Sequence, residues 1–127
     1  MHGAVVPFSP VAEVMVVGEG IETTLAAWGA ALRRWPGAAI GAEAALSRGA
    51  LADGAWRVPE GCRRVLLLAE GTGKGPEQEA AARRATRAAA RAVRAQGAEV
   101  AVLLPGGDWA AEVDAADLAA RAAGGAA

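Results

Sequence analysis

Cysteine occurs once, at Cys62, in a chain of 127 residues. One thiol cannot close an internal disulfide, and it cannot furnish a cysteine-rich zinc ribbon. The single histidine, His2, lies at a terminus read as mobile and is not placed to activate Cys62 as a nucleophile. Tyrosine is absent and aromatics make up only 4% of the chain, so Trp28, Trp35 and Trp56 read as core or lid packing before base-stacking platforms. Neither charge sign dominates. The formal net charge is −1, which gives no global argument for a polyanionic partner. No apolar run approaches the roughly 18–20 residues of a membrane span. The opening Met1-His2-Gly3-Ala4 has no charged region ahead of a long apolar one, so no secretory signal is expected. Lysine occurs once, at Lys74, against twelve arginines. With the alanine excess, that bias reads first as GC-rich coding. The expectation is one soluble, cytoplasmic domain with a single core.

What is present alternates between two patterns. Short β-branched or leucine runs are followed by longer alanine-rich stretches with charges at helical spacing. Val14-Met15-Val16-Val17 reads as a strand ending at Gly18. Residues 22–35 read as a helix with Leu25, Trp28 and Leu32 on one face, stopped by Pro36-Gly37. A weak strand over 38–40 leads to a short helix over 43–51, then a loop over 53–61. Val65-Leu66-Leu67-Leu68 is continuous enough for a strand buried on both faces. The longest helix spans 77–96, with Gly97 as its stop. A strand over 100–104 and a final helix over 111–122 complete the series. No hairpin signal interrupts it. This is the grammar of a mostly parallel α/β sheet of about four strands between helical layers.

In such sheets the working groups collect at the carboxyl ends of the strands. Glu19, Glu22, Glu70 and Asp108 all fall there. Carboxylates without His or Cys suit a hard, oxygen-liganded cation, most naturally Mg²⁺. Acids at a helix N-terminus also stabilise the helix with no other role, and Glu22, Glu77 and Glu79 fit that reading equally. The loop Gly71-Thr72-Gly73-Lys74-Gly75 is not a P-loop. That pattern needs glycine where Leu68 stands and Ser or Thr where Gly75 stands. Along the longest helix, Arg83, Arg87, Arg91 and Arg94 share one face with Arg84 beside it, and Lys74 lies upstream. A phosphate-tracking surface has this pattern, and so does a solvated helix face.

The segment Val16-Val17-Gly18-Glu19-Gly20-Ile21-Glu22-Thr23-Thr24-Leu25-Ala26-Ala27 closely resembles the opening motif of Toprim domains, nearest the phage- and plasmid-type primase branch. Residues 42–51, including Ala45-Leu46-Ser47 and Gly49, resemble that branch's next segment. Residues 64–69 resemble the strand before its D-x-D motif. Pro105-Gly106-Gly107-Asp108-Trp109 resembles its closing segment. The resemblance covers about residues 14–112, with 1–13 as a lead-in and 113–127 as a C-terminal helix and tail. It implies a Rossmann-like, three-layer α/β/α Toprim fold. It places the family's general acid or base on Glu19, its D-x-D pair on Glu70 and Thr72, and the last acid on Asp108, with Glu22 assisting at the metal. Thr72 brings no charge, and Ala110-Ala111 stand where the family has Asn-Asp.

Two functional expectations follow from the resemblance. One is a domain of DNA replication or repair that carries out Mg²⁺-dependent nucleotidyl transfer or phosphodiester chemistry on nucleic acid. Arg83, Arg87, Arg91, Arg94 and Lys74 would contact the nucleic acid, and a helicase or zinc-binding primase module would lie on another chain. The other is a catalytically degenerate module that binds nucleic acid or a protein partner without metal chemistry.

Overall fold

The computed structural model describes residues 5–46, 51, 53–69 and 75–103. Five strands and two helices occur among them, in the order β1 (Val5–Pro7), β2 (Val14–Gly18), α1 (Ile21–Arg34), β3 (Ile40–Ala45), β4 (Arg64–Leu68), α2 (Pro76–Ala95) and β5 (Glu99–Leu103). The strands form one sheet in the order β1-β3-β2-β4-β5. Four of them are mutually parallel, and β1 runs antiparallel along β3 at the edge.

The central strand β2 is buried at every residue, as its unbroken Val-Met-Val-Val run requires. Its side chains divide the core by parity. Val14 and Val16 pack with Ala27 and Ala31 of α1, Trp35, Ala42, Leu66 and Ala101. Met15 and Val17 pack on the opposite face with Leu51, Trp56, Val65, Leu67 and the α2 residues Ala89, Ala90 and Val93. The two helices therefore cover opposite faces of the sheet. The chain leaves β2 toward β3 through α1, and leaves β4 toward β5 through α2. Since β2 and β4 are neighbours, the strand order reverses between them.

Two local expectations are corrected. Residues 43–45 are not helical; they complete β3, every residue of which is buried. Alanine favours a helix by propensity, but a central strand between crowded neighbours needs small side chains, and tertiary packing overrides propensity. Gly41 shows the crowding: a Cβ there would sit 2.5 Å from Ser9 Oγ and 2.7 Å from Met15 Sδ. The second correction concerns α1. Leu25 and Leu32 are exposed, and the helix meets the sheet through Thr24, Ala27 and Ala31, with Trp28 half-buried and its indole N–H donating to Ile40 O at 2.8 Å. Small residues let α1 approach closely, and the leucines flank that contact. β1 adds a strand inside the stretch read as a lead-in. The expected helix over 111–122 lies outside the described residues.

The 53–63 segment lies over the α2 face of the sheet as a strap. Trp56 is its buried anchor at 3% exposure. Gln96, just past α2, ties it down: its Oε1 accepts from Val58 N at 2.9 Å and its Nε2 donates to Trp56 O at 2.9 Å. Gly97, at φ +94°, turns the chain from α2 into β5, the left-handed conformation that glycine adopts without strain.

Candidate functional site

Glu19 follows the last residue of β2 and is half-buried. Val17 pairs with Leu67 on β4, so the acid stands at the carboxyl edge where the strand order reverses. Gly20 is the N-cap of α1, with extended backbone at φ −91° and ψ 149°. Its carbonyl accepts from Thr24 N at 3.1 Å and from the hydroxyls of Thr23 and Thr24. These bonds fix the turn that carries Glu19 between β2 and α1.

The two glycines flanking Glu19 have different tasks. Gly18 is required by packing. A Cβ there would lie 2.5 Å from Thr24 Oγ1 and 3.0 Å from Leu68 Cδ2. Gly18 thus lets the first turn of α1 close onto the ends of β2 and β4. Thr24 is fully buried in this contact. Glu22 is exposed in the first turn of α1, where its charge complements the helix dipole.

Of the four expected edge acids, Glu19 and Glu22 are described, and they lie on the same turn. Glu70, Asp108, Thr72 and Lys74 lie outside the described residues. Their strands place the sequence positions: β4 ends at Leu68, two residues before position 70, and β5 ends at Leu103, five residues before position 108. Among the described residues no three His, Cys, Asp or Glu side chains converge to hold a metal ion. The donor set offered by Glu19 and Glu22 is oxygen only, which suits Mg²⁺ and not a soft transition metal.

Arg83, Arg87, Arg91 and Arg94, with Arg84, are all exposed along α2. Two basic residues at the start of β4 are held by acids. Arg64 Nη2 meets Glu99 Oε2 at 2.8 Å, and Arg63 Nε meets Glu13 Oε1 at 3.4 Å, both at the amino edge. Of the described acids of that edge, Glu19 and Glu22 stand at the turn into α1, whereas the five arginines line α2.

One carboxylate escaped the reading by sequence. Glu43, on β3, is 8% exposed, and its Oε1 accepts from Trp56 Nε1 at 3.0 Å. Burial pushes its carboxyl above the ordinary glutamate range, partly offset by the indole hydrogen bond. An acid within the small-residue run Ile40-Gly41-Ala42-Glu43-Ala44-Ala45 was the available signal, once that run is read as a strand. Cys62 is half-buried, and its thiol is pushed up to about 11, chiefly by burial, with Glu43 adding a smaller push. It is therefore a thiol at neutral pH and a packing residue of the strap, not a nucleophile.

The family model for the Toprim domain matches residues 14–124. Neither a curated protein nor a solved structure matches the chain.

Proposed function

Since the chain belongs to the Toprim family over most of its length, a family of nucleic-acid-associated, metal-binding domains found in primases, topoisomerases and nucleases, we propose that it carries out Mg²⁺-dependent phosphodiester chemistry on nucleic acid. We place that chemistry at the carboxyl edge between β2 and β4, and assign it to replication or repair of the primase type. The observation that carries this reading is the position of Glu19. It stands at the point of strand-order reversal, the place where parallel α/β sheets bind ligands.

In this reading Glu19 moves the proton. Its backbone leaves β2 on a turn fixed by the Gly20 carbonyl and the two threonines, so its place at the edge is set before substrate arrives. As a base it takes a proton from an attacking hydroxyl; as an acid it returns one to the leaving oxygen. Glu70 and Asp108 would hold the cation, with Glu22 contributing from the α1 turn. A cation held there would neutralise charge on the phosphoryl oxygens. The N-terminus of α1 points its backbone dipole to the same edge and favours an anion there.

A second reading keeps the fold without the metal: a module that binds nucleic acid or a protein partner. Thr72 supports it, because it replaces a carboxylate of the family's acidic pair, and ligand charge drives affinity for a hard cation. One experiment separates the two. Labelled DNA, with and without nucleoside triphosphates, is incubated with the protein in Mg²⁺ and in EDTA. Joining or cleavage that needs Mg²⁺ and falls about 10²–10⁴-fold in Glu19→Gln, at unchanged melting temperature, supports the catalytic reading. A protein inert in both conditions supports the metal-free module.

A further inference from the structure

The five arginines of α2 form a row whose composition is unusual for a solvated face. Residues 80–96 contain Arg83, Arg84, Arg87, Arg91 and Arg94 and no acid. At about 100° per residue, the five fall within an arc of roughly 100° on the helix. All are exposed; at the same spacing the buried Ala89 and Val93 lie outside that arc and Ala90 borders it. None has an ion-pair partner among the described residues, whereas Arg63 and Arg64 each have one. Arg83/Arg87 and Arg87/Arg91 are like-charge neighbours four apart, an arrangement that works against the helix. The helix dipole accounts for Arg94 in the last turn, but its effect fades within that turn and does not reach Arg83, Arg84 or Arg87.

We propose that this row is a docking track for the phosphate backbone of duplex nucleic acid, independent of base sequence. From Arg83 to Arg94 the row rises about 16 Å along a straight helix. One strand of a duplex presents a phosphate about every 3.4 Å of axis, so about five phosphates lie along it, one for each arginine. A single strand is the poorer fit. Its binders offer aromatic platforms for the bases, and α2 contains no aromatic residue. The track begins in the second turn of α2, near the carboxyl edge, and runs to the amino edge. A duplex seated on it lies along the α2 face and meets the proposed catalytic edge at one end. The proposal rests on the reading of the chain as a nucleic-acid domain, but not on the metal chemistry.

The test is fluorescence-anisotropy binding of a mixed-sequence 20-base-pair duplex to the full chain in EDTA, across a salt series. Five phosphate contacts give a slope of log affinity against log salt of about −4.5, or about 500-fold weaker binding from 50 to 200 mM salt. The triple variant Arg83→Gln, Arg87→Gln, Arg91→Gln keeps two contacts. Its expected slope is about −1.8, or about a tenfold loss over the same range. Arg33→Gln with Arg34→Gln, exposed on α1, should leave the slope within error of wild type. An unchanged slope in the triple variant overturns the proposal. So does an equal loss in the α1 control, tighter binding of a single strand of the same length, or no binding of the duplex at low salt. Metal titration of the triple variant reads the catalytic edge separately, so failure of the track and failure of the proposed chemistry give different results.

Discussion

At the scale of single residues, the close contacts around Glu19 set strict limits on substitution. Gly18→Ala places a methyl group against Thr24 Oγ1 and Leu68. It should cost about 1–3 kcal/mol of stability in denaturant titration. Combined with Thr24→Ala, the penalty should shrink, because the nearer clash is removed, and a double-mutant cycle measures that coupling. Glu43 makes a pH-dependent prediction. Its folded-state carboxyl titrates above its unfolded value of about 4.3. Its contribution to stability is therefore fully present below that value and is lost as pH rises through the raised one. Glu43→Gln keeps an acceptor for the Trp56 indole and removes the charge. Melting temperatures should nearly coincide with wild type below pH 4.3, and the variant should gain on wild type as pH rises toward neutrality. A constant gap across that range would contradict the buried-charge account. Sequence reasoning put Glu19 at the end of a strand because a strand-end acid flanked by glycines is a local pattern, and the structure has it directly after β2. It missed Glu43 because burial of an acid depends on a partner thirteen residues away, Trp56.

Elements show where local pattern sufficed and where it did not. The strands β2, β4 and β5 and the helix α2 were legible, since each carries a strong period or an unbroken apolar run. Strand β3 was only begun correctly. Its alanines speak for helix locally, while the crowding of Gly41 by Ser9, Pro10 and Met15 shows how little room that strand leaves for side chains. The buried side of α1 was misplaced for a related reason: the sheet accepts its small residues, while Leu25 and Leu32 stay exposed. The strap over 53–63 depends on one side chain of another element. Gln96→Ala removes the acceptor for Val58 N and the donor to Trp56 O. It should cost about 1–3 kcal/mol and speed hydrogen exchange at the Val58 amide. An unchanged exchange rate would mean that the strap is held by Trp56 packing alone. On α2, relieving like-charge neighbours with the triple arginine variant should raise stability by about 0.5–1 kcal/mol. A loss of stability would instead assign those side chains a structural task.

At the scale of the whole molecule, a net charge of −1 conceals a spatial division. Acids stand at the turn after β2, paired charges tie the amino edge, and arginines with no ion-pair partner among the described residues line α2. Composition could not reveal that division, but the alternation of strands and helices already placed the acids of the turn at one end of the sheet. The candidate site was legible as a set of positions through its opening motif, whose Gly18 and Thr24 prove to be packing partners. Its remaining acids, Glu70 and Asp108, lie outside the described residues. The central claim is that the edge holding Glu19 binds a hard divalent cation. Calorimetric titration of the full chain with Mg²⁺, repeated for Glu70→Gln and Asp108→Asn, tests it most directly. The account predicts saturable binding in the millimolar range or tighter, abolished or strongly weakened in both variants while their melting temperatures hold. Absence of saturable binding to wild type, or equal binding by all three proteins, would contradict it.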